Sequence, residues 1–451
     1  MITTSTVTFN ATAGTTYRIV VDGWGGDAGT IKLNWTGCNV PTPTPTLTPS
    51  PTPTPTPTPQ PCSGGFTVTD NGDASDANPG NGICATSSGA CTLRAAIQEA
   101  NALSTCGTID INFGGVTSPI SLGTVLPDVN HKVNINGPGA NQLTVQRSAA
   151  GGTSNFRVLT ISTGRLVTIA GITIANGNVP GGNGGGVLNS GTLTLTNSNI
   201  YGNSAGSGGG IYNDGSITLN NCNVGGSAAG QGNIGEGIRH NGGSGVVPNS
   251  GILVMNGGSI VANTGDGISI IATATLNGVS ILQNSIGGGV FIATTSAGTT
   301  NIVNSLIANN TNASNGGFGG AGINNQSFGT VAIINTTISG NSTPGSGGGI
   351  RNFNSTIALT NVTITNNHAG TGGGIDASGS VLLRNSVVAG NFLSSGGTAN
   401  DIHFTVSSSS SFNVIGTGGG GGLVNGVNNN QVGVANPGLG ALANNGGPTM
   451  T

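Results

Sequence analysis

A glycine followed by a β-branched residue recurs along most of the chain, and this repeat limits the possible folds more than any other feature. Eight such pairs follow one another at intervals of 22 to 33 residues. They are Gly186-Val187, Gly210-Ile211, Gly237-Ile238, Gly267-Ile268, Gly289-Val290, Gly322-Ile323, Gly349-Ile350 and Gly374-Ile375. Repeats of this length are typical of solenoids, in which one supersecondary unit stacks on the next.

Asparagines form two further columns behind these anchor pairs. The first column is Asn197, Asn221, Asn256, Asn277, Asn304, Asn335, Asn361 and Asn385. The second column is Asn203, Asn263, Asn284, Asn310, Asn341, Asn367 and Asn391, with Ser227 in place of one member. Because glycine and asparagine tolerate the positive φ of tight turns, each repeat is predicted to turn two or three times between short strands.

This pattern predicts an all-β fold, a right-handed parallel β-helix of the pectin-lyase type with roughly ten coils. Coils stacked about 4.8 Å apart pair each strand with its equivalent in the next coil, which gives a length on the order of 45–50 Å. Asparagines in register would form a ladder of side-chain hydrogen bonds, and Val, Ile and Leu would fill the interior. A leucine-rich-repeat fold fits less well, because no helical segment alternates with the strands.

The chain carries little charge, and this excludes several classes of function. Charged residues make up 5% of it, against about 25% in ordinary soluble domains. Ten Lys and Arg residues against thirteen Asp and Glu give a net charge of −3, so nothing indicates nucleic-acid binding. No run approaches the ~18 apolar residues of a membrane-spanning helix, and the glycines lack the every-third-residue period of collagen.

Composition divides the chain into five segments. Residues 1–37 contain strand-like runs between Gly and Asp turns and predict a β-sandwich fragment. Residues 38–62 form a Thr-Pro tract, which favours a stiff polyproline-like spacer. We predict an N-terminal cap over 63–107, the parallel β-helix over 108–400 and C-terminal coils over 401–451. The first residues lack the pattern of a secretory signal, so we expect an export signal upstream.

One amphipathic helix is predicted, over residues 91–101. Its apolar stripe at helical spacing consists of Leu93, Ala96, Ile97 and Ala100. Thr92 is a suitable N-cap, and Asn101 could end the helix in the left-handed conformation. The helix would cover the first coil, whose open strand edge would otherwise template aggregation.

The six cysteines indicate an oxidising compartment. The cluster of Cys84, Cys91 and Cys106 has no histidine at the spacing of a zinc site, so disulfides are the better interpretation. We predict a Cys84–Cys91 disulfide, which closes a short Ser/Gly loop, and Cys62–Cys106 as a second pair. Cys222, within the repeats, is expected to be a small buried hydrophobic residue.

Three segments resemble parts of bacterial surface proteins. Cys91-Thr-Leu-Arg-Ala-Ala-Ile97 resembles the Cys-Ser-Leu-Arg-Glu-Ala signature of the CSLREA domain, with Ala95 where the signature has Glu. Residues 431–449 resemble the end of choice-of-anchor domains, and TVTFNATAGTTYRIVVDGWGG near the start is similar to pre-peptidase C-terminal domains. The resemblance implies a parallel β-helix on a bacterial cell surface, as a monomer attached to the envelope through a part beyond Thr451.

One pair of carboxylates is a candidate catalytic site. Glu236 and Asp266 occupy the same position in successive repeats, so they are expected about 5 Å apart, the spacing of a retaining glycosidase pair. Arg239 and His240 follow Glu236 closely. The alternative is that both are solvated turn carboxylates, since Asp is common in turns. Two carboxylates make a poor Ca²⁺ cage, which needs six or more oxygens, so no cofactor is expected, with a Ca²⁺ ion at this pair as the alternative.

A second candidate site is the column that follows each anchor pair by one residue. It consists of Tyr212, Arg239, Phe291, Asn324 and Arg351. Aromatic and arginine side chains on a flat polar sheet suit adhesion to sugars or proteins, with avidity gained by repetition. Arg351 and Asp376 share this column, so we expect an exposed salt bridge between them.

Two functions from different classes remain open on the sequence alone. The first is an exported cell-surface module with a structural or adhesin-like role, which binds a glycan or another surface ligand without catalysis. The alternative is a polysaccharide lyase or glycoside hydrolase that uses Glu236 and Asp266 on an acidic polysaccharide. Neither nucleic acid nor a membrane span in this chain is expected.

Overall fold

A computed structural model describes residues 9–10, 12, 15–18, 64–243, 251–295, 298–313, 319–394 and 397–451. The chain divides into two units, Met1–Thr58 and Pro59–Thr451. The predicted sandwich fragment lies mostly outside the described residues, and the predicted Thr-Pro spacer lies wholly outside them. Among the few described residues of the first unit, the rings of Phe9 and Tyr17 lie 5.4 Å apart.

The second unit is a parallel β-helix, in which three strand columns follow one another in every coil. All the strand-to-strand pairings within these columns are parallel, and each joins equivalent positions of successive coils. The anchor pairs predicted from the sequence share one register, with Val187, Ile211 and Ile238 on neighbouring strands. The predicted fold is therefore confirmed.

We name the columns the first, second and third face in the order in which the chain passes through them. The first face comprises Gly65–Val68, Ile109–Phe113, Val133–Asn136, Leu166–Ala170, Thr192–Thr196, the first halves of Ser216–Gly225 and Ile252–Val261, Thr273–Asn277, Thr299–Val303, Thr330–Ile334, Thr356–Thr360 and Ser380–Arg384. The second face comprises Ile120–Leu122, Thr144–Arg147, Thr173–Ala175, Asn199–Tyr201, the second halves of the same two long strands, Ser280–Leu282, Leu306–Ala308, Thr337–Ser339, Thr363–Thr365, Val387–Val388, Val414–Ile415 and Gln431–Val432.

The third face is a separate sheet. It comprises Leu159–Ile161, Val187–Asn189, Ile211–Asn213, Ile238–His240, Asp266–Ile270, Gly288–Ile292, Ile323–Asn325, Ile350–Asn352, Ile375–Asp376 and Ile402–His403. Two short pairs lie between the second and third faces: Asn178–Asn183 with Ser204–Ser207, and His368–Ala369 with Phe392–Leu393. A single 3₁₀ turn, Val427–Asn429, occurs within the described C-terminal coils.

The stack begins before the predicted boundary at residue 108. Gly65–Val68 already pairs in parallel with Ile109–Phe113, so the cap is an insertion between the first two coils. Helix α1 spans Leu93–Ala102, and its N-cap Thr92 accepts a hydrogen bond from the backbone N–H of Ala95 at 3.1 Å. The helix continues past Asn101, so the prediction that this residue ends it in the left-handed conformation is wrong.

Helix α1 covers the first coil through its apolar stripe. Leu93, Ala96, Ile97 and Ala100 all belong to the continuous hydrophobic core. The loop before the helix contains the predicted Cys84–Cys91 disulfide. Cys106 is also disulfide-bonded, and Cys62, its predicted partner, lies outside the described residues.

The second asparagine column forms a buried ladder at the turn between the second and third faces. In each coil, the ladder asparagine donates from both its side-chain N–H₂ group and its backbone N–H to the side-chain oxygen of the ladder asparagine in the next coil. For Asn284 and Asn310 these distances are 2.9 and 3.0 Å. The same side-chain N–H₂ group also donates to a backbone carbonyl of the preceding coil, at 3.1 Å from Asn284 to Ile260.

The ladder differs from the sequence prediction at one rung and ends in a different residue. Asn233, rather than Ser227, continues it between Asn203 and Asn263. At its C-terminal end Asp401 takes the asparagine position. One Asp401 oxygen accepts hydrogen bonds from the backbone N–H and the side-chain amide of Asn391, at 3.0 Å each. The other accepts the backbone N–H of Gly418 at 2.9 Å.

The ladder also explains the glycine of each anchor pair. A Cβ atom on Gly267 would lie 2.6 Å from the amide nitrogen of Asn284, and one on Gly237 would lie 2.6 Å from that of Asn263. No side chain fits in that space, so glycine is needed because of packing and not because of its backbone angle. The following Ile268 and Ile238 are fully buried, and each isoleucine contributes roughly 1.5–3 kcal/mol by leaving water.

Replacement of a ladder residue should destabilise the fold strongly. Asn310→Ala leaves two buried N–H groups of Asn284 and the carbonyl of Ile281 without partners. At about 1–3 kcal/mol for each orphaned group, we expect a loss of about 3–5 kcal/mol in the free energy of unfolding, measured by urea denaturation. Asn136→Ala, which removes an exposed amide bonded to Asn112, is the control and should cost less than about 1 kcal/mol. Equal losses in the two variants would contradict the structural role of the ladder.

Candidate functional site

The structure places Glu236 and Asp266 side by side at the start of two neighbouring strands of the third face: Asp266 is the first residue of its strand, and Glu236 precedes Ile238–His240 by two residues. Ile238 pairs with Ile268 in parallel, and the backbone N–H of Gly237 donates to the Asp266 carbonyl at 3.0 Å. Both carboxylates therefore occupy equivalent positions in successive coils, as the repeat arithmetic indicated.

Glu236 is held by contacts within the protein. Its Oε2 accepts the backbone N–H of Gly208 at 2.7 Å, and its Oε1 forms an ion pair with Arg239 at 3.3 Å. The side chain is 16% exposed. Both carboxylate oxygens are thus engaged, which limits the ability of Glu236 to act as a base or nucleophile.

Asp266 has a different environment. Its Oδ2 accepts a hydrogen bond from the Ser269 hydroxyl at 2.9 Å. The pKa of Asp266 is raised to about 7, mainly by burial and also by the negative charge of Glu236, while Ser269 and Arg239 oppose the shift. Near neutral pH Asp266 is therefore readily protonated.

His240 follows Arg239 in sequence but points to the other side of the strand. It is fully buried. Its Nε2–H donates to the Thr273 carbonyl at 3.0 Å, and its Nδ1 accepts from the Asn213 amide at 2.9 Å. Burial lowers the pKa of His240 to about 4, so this histidine is neutral and structural. It does not join the carboxylate pair.

The predicted adhesive column is one column in the structure. Tyr212, Arg239, Ser269, Phe291, Asn324 and Arg351 occupy equivalent positions on successive strands of the third face. The expectation that this column is exposed is wrong for part of it, because Asn324 and Arg351 are buried. The Gly-rich segments before each strand fold back over them: a Cβ on Gly320 would lie 2.6 Å from the Asn324 Cα.

The expected exposed salt bridge between Arg351 and Asp376 is also wrong. Asp376 is 3% exposed, and its Oδ2 lies 3.4 Å from Nδ1 of His403. Arg351 lies over the Phe353 ring, with its guanidinium carbon 4.6 Å from the ring centre. A covered arginine stacked on phenylalanine is a poor adhesive contact.

Other histidines lie at structural positions. His131 is buried and bonded to the Gly107 carbonyl at 2.9 Å, and His368 stacks on Phe392 with ring centres 5.6 Å apart. In the described ranges, no three His, Cys, Asp or Glu side chains are grouped so as to hold a metal ion. No helix among the described residues is both long and apolar enough to cross a membrane. Cys222 is fully buried, as predicted, and burial raises its pKa to about 11.

The first asparagine column forms a surface that the sequence analysis did not propose as a binding site. It lies where the first face passes into the second. Asn197, Asn221 and Asn304 have φ of 48°, 51° and 52° and project their amides outward. In two coils the left-handed position belongs to Gly257 and Gly278, so Asn256 and Asn277 precede the turn residue instead of forming it.

Three adjoining cavities follow this column, and together we call them the amide groove. Their volumes are about 370, 330 and 540 Å³. Their polar lining consists of Asn141, Gln142, Asn197, Asn199, Tyr201, Asn221, Asn223, Ser227, Gln231, Asn256, Ser259, Asn277, Ser280 and Asn304. The first cavity shares Asn199 and Asn223 with the second and Asn221 with the third, so the three lie next to one another along the column. No lining residue is charged at neutral pH.

The amides of the groove are ordered by bonds along the stack. Asn223 donates to Asn199 at 3.0 Å, and Asn304 donates to Asn277 at 3.1 Å. Each amide has two N–H donors and two acceptor lone pairs. With the bonds from Ser259 to Asn223 and from Asn335 to Asn304, the stack uses one donor and one lone pair at Asn223 and at Asn304. The remaining donors and acceptors are available to a ligand in the groove. The sequence signal for this surface was the first asparagine column itself.

Two opposite pH effects on stability should be separable by substitution. His240 contributes stability at neutral pH that is lost as the pH falls from about 6.5 to 4, because the unfolded chain then binds the extra proton. Asp266 has the reverse effect: its contribution is present at low pH and is lost as the pH rises from about 4 to 7.

His240→Asn should remove the first effect, and its amide can extend the Asn189–Asn213 hydrogen bond. The free energy of unfolding of the wild type minus that of this variant should increase by about 3 kcal/mol from pH 4 to 6.5. For Asp266→Asn the difference should decrease with pH over the same range. Urea denaturation at several pH values measures both, and parallel curves for the two variants would contradict the assignment.

Comparisons with known proteins add little to these observations. No protein-family model matches the chain, and no curated protein matches it. Among solved structures, the chain is similar to the A-module of the mannuronan C-5 epimerase AlgE6 from Azotobacter vinelandii, with 15% sequence identity and a TM-score of 0.34. The similarity covers 76% of this chain and 91% of that module. Because the score is low, the fold assignment rests on the strand register described above.

Proposed function

We propose that this chain is part of an exported bacterial surface protein, a non-catalytic β-helix that binds neutral glycan chains in the amide groove. The observation that carries the proposal is the lining of the groove, which is long, polar and free of charged side chains. A ligand must be extended to fill it and must offer both donors and acceptors to satisfy the amides.

Neutral polysaccharides meet these requirements. Each hydroxyl both donates and accepts, which matches the spare N–H and lone pair of a groove asparagine. The bonds from Asn223 to Asn199 and from Ser259 to Asn223 hold the amides in place before binding, so less conformational entropy is lost. Tyr201 adds an aromatic surface at the end near Gln231. An acidic polysaccharide would find no cation in the groove to balance its carboxylates.

Support for an extracellular location comes from the Cys84–Cys91 disulfide, since disulfides persist mainly outside the cytosol. The resemblance of residues 91–97 to the CSLREA signature agrees with that location. Attachment to the cell envelope and a monomeric state follow from the same resemblance and remain part of the proposal.

A non-catalytic role is favoured by the separation of the two sites. The carboxylate pair lies at the third face, whereas the amide groove lies where the first face meets the second. A glycan in the groove would therefore not reach Glu236 or Asp266. Glu236 is also engaged by Gly208 and Arg239.

Substitution in the groove should weaken glycan binding selectively. We expect neutral hexasaccharides (cellohexaose, xylohexaose, mannohexaose) to include a ligand, and hexagalacturonate and hexamannuronate to bind weakly or not at all. Asn199→Ala with Asn223→Ala removes two groove amides and should weaken binding about tenfold in calorimetric titration. Asn155→Ala with Asn178→Ala removes a similar bonded pair of amides at the turn between the second and third faces and is the control. Preference for the acidic sugars, or equal loss in both variants, would contradict the proposal.

One observation favours a second candidate function, cleavage of a polysaccharide. Asp266, with a pKa of about 7, lies beside Glu236, and two carboxyl groups in such a pair can serve glycoside hydrolysis. If this function is correct, reducing ends should appear from polygalacturonate or alginate near pH 6, and Asp266→Asn should abolish them. Without catalysis the wild type and Asp266→Asn should both give no product above buffer, and this is the result we expect.

A further inference from the structure

The C-terminal segment of the chain folds back onto the amide groove. The hydroxyl of Thr449 donates to the Asn304 carbonyl at 3.2 Å, across 145 residues of sequence. Thr449 is 7% exposed, although the residues on both sides of it are exposed. Pro448 forms part of the wall of the 540 Å³ cavity, directly over Gly278.

The tip of this segment is a closed loop. Ala443 and Thr451 exchange two backbone hydrogen bonds, at 3.2 and 3.0 Å, and the Asn445 amide donates to the Thr451 carbonyl at 3.0 Å. The loop therefore presents Pro448 and Thr449 in a fixed arrangement. One hydrogen bond of about 0.5–1.5 kcal/mol and a proline contact hold it on the groove, so its attachment is weak.

The column of outward amides does not stop at this loop. Asn335 donates to Asn304 at 3.2 Å, Asn361 donates to Asn335 at 2.9 Å, and Asn385 donates to Asn361 at 2.8 Å. All three are left-handed turn residues like Asn197 and Asn221. The same chemistry thus continues for three more coils, about 14 Å, beyond the point where Thr449 lies.

We propose that Pro448 and Thr449 form a removable end wall of the amide groove, and that the amides of Asn335, Asn361 and Asn385 form a second glycan subsite behind it. This inference rests on the proposed function. With the wall in place, a glycan contacts the amides from Asn197 to Asn304, four coil steps or about 19 Å. With the wall displaced, a longer chain contacts both stretches and gains affinity from the additional amides.

The test is the dependence of affinity on the length of the sugar. Xylo-oligosaccharides of two to ten units are titrated into the wild-type chain, into a chain ending at Leu442, and into Pro448→Gly with Thr449→Ala. In the wild type, affinity should stop rising at about the length of the groove. In the other two it should continue to rise, by about tenfold from tetramer to octamer, while the affinity for the shortest sugars stays unchanged.

Pro437→Gly with Leu439→Ala is the matched control, because it changes the same segment outside the docked tip, and it should behave as the wild type. A peptide of residues 443–451 added to the shortened chain should restore the plateau. Identical length dependence in all four proteins would overturn the end wall and leave the proposed function intact. Absence of xylo-oligosaccharide binding by both the wild type and the shortened chain, with no other neutral hexasaccharide bound, would overturn both.

Discussion

The buried asparagine ladder is the interaction on which the coil geometry depends. Each rung satisfies a backbone N–H and a backbone carbonyl at a turn that neither sheet can reach. It also occupies the space beside the third face, so the residue opposite each rung must be glycine, as at Gly267. The glycine and asparagine repeats in the sequence therefore have the same cause, which is the close contact between each ladder amide and the anchor glycine beside it. Because amides satisfy the buried backbone groups at this turn, the coils stay ordered with few charged side chains.

Much of this architecture was predictable, because a stacked repeat converts spacing in sequence directly into neighbours in space. The anchor pairs, the ladder and the equivalence of Glu236 and Asp266 all follow from that rule. Details set by loop length were not predictable. Asn233 takes the ladder position instead of Ser227, because the loop from the end of strand Ser216–Gly225 to the ladder is longer than in the neighbouring coils. The sequence prediction put Asn256 at the left-handed turn position, which Gly257 occupies in the structure, because glycine tolerates the same conformation. The inward position of His240 was available from strand alternation, since it follows buried Ile238 by two residues.

The candidate sites differ in what covers them. Gly-rich segments fold over the third face and bury Asn324 and Arg351, and sequence alone does not show which way such segments turn. The turn between the first and second faces is short in most coils, so its amides stay open along the stack. The groove therefore offers a continuous surface, whereas the charged groups of the third face mainly bind one another. This contrast is why recognition of an uncharged polymer fits the molecule better than chemistry at the carboxylates.

The asparagine ladder also has a direction. Every rung accepts from the coil before it and donates to the coil after it, so a rung can be inserted anywhere between two others. Asp401 ends this pattern, because its carboxylate accepts hydrogen bonds from the coils on both sides and has no side-chain N–H to donate to the next coil. Whole coils could be duplicated or lost upstream of Asp401 without leaving a mismatched partner, but not across it.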